Sequence, residues 1–164
     1  MMSMIIVLMG VSGVGKTTIG QLLASQLNIP FYDGDDFHPA ANVTKMRQGI
    51  ALSDSDRLSW LHTLHDLMQK LHDCQQSAVF ACSALKNTYR QILQGNLDDV
   101  RFVFLHGNYE LIRQRLQQRQ HHFMSATLLQ SQFDILETPQ GILTVEVNDS
   151  PAAIVQTIKT QLQL

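Results

Sequence analysis

Met4-Ile5-Ile6-Val7-Leu8-Met9 runs directly into Gly10-Val11-Ser12-Gly13-Val14-Gly15-Lys16-Thr17. The first stretch reads as a buried strand. The second fits G-x-x-x-x-G-K-[ST], a nucleoside-triphosphate phosphate loop in the strand–turn–helix setting it requires. Gly10, Gly13 and Gly15 lack Cβ atoms, so the loop can take positive φ and curl its N–H groups around phosphates. A helix opening at Gly15 brings the positive end of its dipole to the same point. Lys16 is long enough to reach β- and γ-phosphate oxygens, and the Thr17 hydroxyl is placed to ligate Mg2+. The alternative, a chance match in a glycine-rich turn, does not account for the apolar strand before it and the helical pattern after it.

Working outward, further apolar runs lie at 29–32, 78–82, 102–105 and 142–147. They alternate with helical patterns at 15–27, 53–73, 86–94, 109–118, 125–138 and 151–163. That alternation predicts an α/β fold of three layers, a parallel sheet with helices on both faces. Ser53-Asp54-Ser55-Asp56 resembles a capping box, with Asp closing it in place of Glu or Gln. Ser150-Pro151 pairs a good N-cap with proline at the first helical position. Ile154, Ile158 and Leu162 then form one apolar stripe. The exception is 33–52, polar and weakly periodic, with Gly34, Pro39 and Gly49. Beside a phosphate loop it reads as a substrate-binding excursion.

The 164 residues suit one domain, 1–164, large enough for a proper core. A net charge of −2 gives no general attraction to nucleic acid or anionic membranes, so any basic site must be local. No stretch has the flanks of a signal peptide or the length of a membrane span, and a cytoplasmic location is expected. Cys74 and Cys82 have no metal-ligand spacing. Cys82, inside an apolar run, reads as a small buried hydrophobe, and no disulfide is expected.

The second run ends Phe31-Tyr32-Asp33-Gly34-Asp35, where an open parallel sheet gathers ligands. Phosphoryl transfer to an alcohol needs a carboxylate near the acceptor hydroxyl and, usually, a second near the magnesium shell. Asp33 and Asp35, two apart on an extended strand, would point the same way. Gly34 would allow close backbone approach. The bland alternative is an acidic turn with no role.

Asp33-Gly34-Asp35-Asp36-Phe37-His38-Pro39, Asn42, Lys45-Met46, Gly49, Leu52, Asp54, Asp56-Arg57 and Trp60-Leu61 resemble the gluconate kinase (gluconokinase) family of small P-loop kinases. So do Cys82-Ser83-Ala84-Leu85-Lys86, Tyr89-Arg90, Arg115-Leu116, Arg119, His122-Phe123 and Gln132-Phe133. The resemblance covers about residues 4–164. It implies a fold like shikimate kinase and the nucleoside monophosphate kinases, with a five-stranded parallel sheet and a mobile lid at about 119–125. The implied reaction is ATP plus D-gluconate giving ADP and 6-phosphogluconate, in an enzyme that could be a homodimer. Gly10, Ser12, Gly13, Val14, Gly15, Lys16, Thr17 and Thr18, with Arg115, would hold ATP. Lys16, Asp35 and Arg119 would carry catalysis, Asp35 by orienting or deprotonating the 6-hydroxyl. Thr17 and, through water, Asp33 would hold Mg2+. His38, Lys45, Arg57, Ser83, Lys86 and Arg90 are candidate sugar-acid contacts beside Asp35. The chemistry agrees in kind, since a linear polyol carboxylate needs cations at one end and hydrogen-bonding groups along its length. Arg57 sits in the first turn of a helix, where the dipole gives no reason for a cation. The chain departs from the family pattern at 119–124, which lacks a lysine–glycine pair and a second phenylalanine, and is shorter between Leu136 and Val145.

Arg113, Arg115 and Arg119 with His121 and His122 make a positive cluster after the fourth run. Arg115 and Arg119, four apart, suit a lid that brings arginines to the transferring phosphoryl group; Arg113 suits a solvated face. His121 and His122 point apart and have no accompanying carboxylate or cysteine for a metal. His62, His65 and His72 have zinc-like spacing, but a wet helix face explains them more simply. The adenine pocket is expected near 148–152. Other small-molecule kinases, shikimate-like or nucleotide kinases, are disfavoured by the 33–61 cluster. A guanine-nucleotide switch would need N-K-x-D, and Asn96-Leu97-Asp98-Asp99 lacks the lysine. A structural protein that merely kept the loop would need neither the aspartate pair nor the arginines.

Overall fold

Strands buried on both faces must be apolar throughout, and five of the apolar runs become strands of one sheet. The computed structural model describes residues 2–118 and 125–164. Its strands are β1 (Ile5–Met9), β2 (Phe31–Asp33), β3 (Ala78–Ala81), β4 (Val100–His106) and β5 (Leu143–Glu146). Their order is β2-β3-β1-β4-β5, and every pairing is parallel. All five β1 residues are buried, which makes it the spine of the core. The helices are α1 (Lys16–Leu27), α2 (Ala40–Arg47), α3 (Asp54–Asp73), α4 (Asn87–Gln94), α5 (Tyr109–Gln117), α6 (Ala126–Ile135) and α7 (Pro151–Leu162). The expected α/β architecture with a five-stranded parallel sheet is what the chain forms.

Local chemistry fixes several boundaries. Ser53 Oγ accepts from Asp56 N at 3.0 Å, and Asp56 Oδ2 accepts from Ser53 N at 2.9 Å. The capping box is therefore complete despite its shorter acid. Ser150 Oγ accepts from Ala153 N at the start of α7, a cap worth about 1 kcal/mol. Trp60, Leu61, Leu64, Met68 and Leu71 form the buried stripe of α3, and Ile154, Val155 and Ile158 that of α7.

Three expectations are corrected. The stretch 33–52 holds a 3-10 turn, Gly34–Phe37, and then α2. With only Asn42 and Met46 buried on its inner side, α2 is too short to declare a periodicity. In consequence Asp35 is not on an extended strand: β2 stops at Asp33, and Asp35 stands on the 3-10 turn. The last expected helix before β5 also ends early, at Ile135 rather than 138.

His65 and His72 do not belong to a wet face either. His65 Nδ1 donates to Leu93 O at 2.8 Å, joining α3 to α4. His72 Nδ1 faces Asp99 Oδ2 at 3.0 Å, and the Ser3 hydroxyl donates to the same carboxylate oxygen. Asp99 O in turn accepts from Ile5 N at 2.9 Å. Together these bolt the amino-terminal segment to the loop before β4.

Burial pushes the Asp99 carboxyl up, but the Ser3 hydroxyl and the facing His72 imidazole outweigh it and hold it below its usual value. His72 is held above its usual value, mainly by the Asp99 carboxylate it faces. The His72 contribution is complete below the unfolded imidazole pKa and is lost as pH rises through the raised folded one. The Asp99 contribution is lost as pH falls through its lowered pKa. The melting-temperature gap between wild type and His72→Ala should therefore be widest in mildly acidic buffer and shrink toward both extremes. A gap independent of pH in a thermal-melt series would contradict the ion pair.

Candidate active site

The site gathers at the carboxyl ends of β1 and β2. Gly10 leaves β1 at φ 144, and a Cβ there would stand 2.6 Å from Leu105 O, so only glycine allows the turn. Lys16 Nζ folds back over the loop and donates to Gly10 O at 2.8 Å and Val11 O at 2.9 Å. Ser12 N, an amide of the phosphate cradle, donates to Gln132 Oε1 of α6 at 2.7 Å. Thr17 Oγ1 donates to Asp33 Oδ2 at 3.0 Å, while Asp33 Oδ1 accepts from Asp35 N at 3.0 Å. Asp33 thus caps the 3-10 turn that carries Asp35. The close approach expected at Gly34 is present: a Cβ there would lie 2.5 Å from Ala81 O.

A cleft opens between the phosphate loop, the 3-10 turn, α3 and α6. Ser12, Lys16, Asp35, His38, Arg57 and Ser83 line it together, with Met46, Leu52, Trp60, Leu128 and Gln132. The Asp35 side chain is 63% exposed, so its oxygens are open to the cleft. Desolvation by the surrounding protein still raises its pKa, against the lowering pull of Lys16. Such a carboxylate holds a proton more readily than a free one. Burial and the nearby Arg57 charge push His38 down to about 4, so it is neutral at physiological pH.

Arg57 is 7% exposed and donates from Nη1 to Leu52 O at 2.7 Å and Tyr89 Oη at 3.3 Å. Its Nη2 and Nε donate to no other described residue. A buried guanidinium with two donor positions remaining suits a carboxylate, which it can grip with two parallel bonds. The Tyr89 hydroxyl donates to Asp54, and Lys86 Nζ reaches Asp54 Oδ1 at 2.9 Å. These two bonds, Tyr89 first, hold Asp54 below the usual carboxylate range.

Three expected sugar-acid contacts are not brought to the cleft wall. Lys45 pairs with both Asp56 oxygens, at 2.9 and 3.0 Å. The Asp56 carboxyl is held at about 2, first by the Ser53 backbone N–H and then by Lys45. Lys86 is engaged with Asp54. Arg90 is buried, with its guanidinium donating to the carbonyls of Ala84, Leu85 and Glu137. Its work is to tie α4 to the loops around it. In all three, a partner distant in sequence takes up the cation.

On the other side of the loop, Gly13, Val14, Gly15, Thr18 and Arg115 line a second recess with Val147, Asp149 and Pro151. Arg115 Nη2 donates to Val147 O at 2.6 Å. This recess coincides with the 148–152 region expected to face adenine. Arg113 pairs with Glu110 at 3.2 Å on an exposed face, as expected. Arg119, His121, His122 and all but Ser125 of the lid expected at about 119–125 lie outside the described residues.

Sequence reasoning gave Gln132, Met46, Leu128 and Trp60 no part in lining the site. Trp60 carried a signal, being the single tryptophan, at the seventh position of a capped helix and three residues after Arg57. Gln132 carried none beyond its place in the resemblance, since its contact with Ser12 spans 120 positions. Cys82 is buried and its thiol is pushed up to about 12, chiefly by burial, while Cys74 is exposed. Both are free. Among the described residues no helix is long and apolar enough to cross a membrane.

The chain matches the Shikimate kinase family profile over residues 12–161. It is 46% identical over 154 residues to the thermosensitive gluconokinase of Escherichia coli (strain K12), covering 92% of this chain and 82% of that protein. It is 46% identical over 169 residues to a gluconokinase of Arabidopsis thaliana, covering 94% and 89%. The crystal structure of a gluconokinase from Sinorhizobium meliloti 1021 superposes with a TM-score of 0.89 at 38% identity, covering 98% of this chain and 91% of that one.

Proposed function

The chain belongs to the gluconokinase family of small P-loop kinases, and we infer that it transfers the γ-phosphoryl group of ATP to D-gluconate, giving ADP and 6-phospho-D-gluconate. The observation that carries the reading is one cleft holding Lys16, Asp35 and the buried Arg57. Those are a phosphate cation, a carboxylate with raised proton affinity and a cation for the acid end of the acceptor.

The Asp35 carboxylate takes the hydroxyl proton as the alcohol oxygen bonds to the γ-phosphorus and the bond to the ADP oxygen breaks. Lys16 leaves its loop carbonyls for phosphate oxygens, a charge-assisted exchange. Arg57 grips the gluconate carboxylate, and Ser83 and His38 serve hydroxyls along the chain. Arg115, Asp149 and Pro151 border the adenine side.

Thr17 and Asp33 present only oxygen atoms, 3.0 Å apart, at the loop's edge, which suits a hard divalent cation such as Mg2+. Bound with ATP, that ion would neutralise charge on the β- and γ-phosphates. The residues' own part is to fix the cation's oxygen ligands; Asp33, already capping the 3-10 turn, links that ligand set to the position of Asp35.

The test is ADP release over a panel of sugar acids, sugars, shikimate and nucleotides. Gluconate should be turned over much faster than glucose, because glucose leaves the Arg57 donors unpaired in the cleft. Arg57→Ala should raise KM for gluconate at least about tenfold with KM for ATP nearly unchanged. Equal rates with glucose, or a preference for shikimate, would overturn the assignment.

A further inference from the structure

His38 has a tautomer that the protein itself dictates. Asn42 is 3% exposed, and its Nδ2 donates to Asp56 O at 2.9 Å. A backbone carbonyl can only accept, so the amide cannot be turned the other way round. The same Nδ2 lies 3.3 Å from His38 Nδ1 and offers it the second amide hydrogen. Nδ1 therefore accepts, and in a neutral imidazole the proton resides on Nε2. Depression of the ring's pKa to about 4 keeps it neutral through the physiological range.

The ring is also clamped. It stacks on Trp60 with centroids 4.0 Å apart and planes 19° apart, and its side chain is 4% exposed. Trp60 is held in turn by its Nε1 donating to Gly34 O at 2.7 Å, in the 3-10 turn that carries Asp35. His38 Nε2 thus stands 3.8 Å from Asp35 Oδ1, on the wall of the cleft. That is too long for a hydrogen bond and the right span for one oxygen bonded to both at about 2.7–2.9 Å.

We infer that His38 is a positioning donor for the acceptor hydroxyl, its Nε2–H fixing the oxygen from one side while Asp35 takes the hydroxyl hydrogen from the other. The inference rests on the reading that the acceptor is an alcohol bound in this cleft. An alcohol oxygen has one hydrogen and two lone pairs. With the hydrogen on Asp35 and one lone pair on His38, the remaining lone pair is free to face the γ-phosphorus. The donated bond also draws density from the oxygen and eases the proton's departure. The proton goes to Asp35, the new bond is oxygen to phosphorus, and ADP leaves; His38 neither gains nor loses a proton.

The test compares wild type, His38→Phe and His38→Gln. Phe keeps the ring stack on Trp60 and removes the donor; Gln carries an N–H at nearly the reach of Nε2. Expected for Phe is a fall in kcat/KM for gluconate of about 10²-fold, with KM for ATP and melting temperature little changed. Gln should recover at least about tenfold of that loss and keep the wild-type pH profile, because His38 does not titrate in the reaction. Turnover by His38→Phe within threefold of wild type, or a Gln variant no better than Phe at equal ATP binding, would overturn the inference. So would a wild-type pH limb that vanishes in His38→Gln, since it would make the imidazole the base. If the wild type itself fails to phosphorylate gluconate, the acceptor assignment falls and this inference with it. Robust wild-type turnover beside an unaffected Phe variant sinks this inference alone.

Discussion

Replacing Lys16 by alanine is expected to leave a folded protein whose turnover of gluconate is lost by at least about 10²–10³-fold. The ammonium lies over the phosphate loop, where it bonds Gly10 O and Val11 O. Removing it deprives the transferring group of a charge in a partly enclosed site, where such interactions outweigh their value in water. The two carbonyls that lose their partner belong to a loop otherwise held by Ser12 N on Gln132 and by Gly10 N on Ser83 O. A melt close to wild type together with absent ADP release is the expected pair of results. A folded Lys16→Ala protein with ordinary turnover would remove the phosphate loop from the mechanism.

Asp35→Asn should cost about 10²-fold or more in kcat while leaving Mg·ATP affinity intact, because shape is kept and the proton acceptor is not. Wild-type kcat/KM should fall as pH drops through the Asp35 pKa, which desolvation has raised above the ordinary carboxylate value. That limb should be missing in the Asn variant. Asp33→Asn should behave differently, since Asp33 faces Thr17 with one oxygen and caps the turn with the other. Its magnesium dependence should shift to higher concentration, and excess Mg2+ should restore part of the rate. A titration of both variants separates the two roles. Rescue of Asp35→Asn by magnesium would reverse them.

The parts of this molecule that were legible in the sequence are those decided within about ten residues. β1 and the phosphate loop are contiguous, the Ser53–Asp56 box closes over one helical turn, and Ser150-Pro151 opens α7 on its own. The 3-10 turn and α2 were not legible because eight helical residues with two buried anchors show no period. Nor were the partners of Lys45, Lys86 and Arg90. Each looked like a cation waiting for a sugar acid, yet each is bound by a group that only the fold brings near: Asp56, Asp54 and, for Arg90, the Glu137 carbonyl. Arg57 kept its expected place at the cleft because only Nη1 is used to hold it. A lone sequence names which residues carry charge but not how much of that charge the fold has already spent.

The indole of Trp60 is the chain's only one, buried at 2% exposure, stacked on His38 and bonded to the turn that carries Asp35. The molecule therefore carries a single indole, at the end of the cleft proposed for the acceptor. Excitation at the red edge of protein absorbance reports that one spot, without a label. An alcohol bound between His38 and Asp35, as proposed above, would act on the indole directly, whereas the base of a nucleotide would bind on the far side of the phosphate loop. Stopped-flow emission on the unmodified enzyme should thus time the arrival of the acceptor separately from that of ATP, and so give the order in which the two substrates bind.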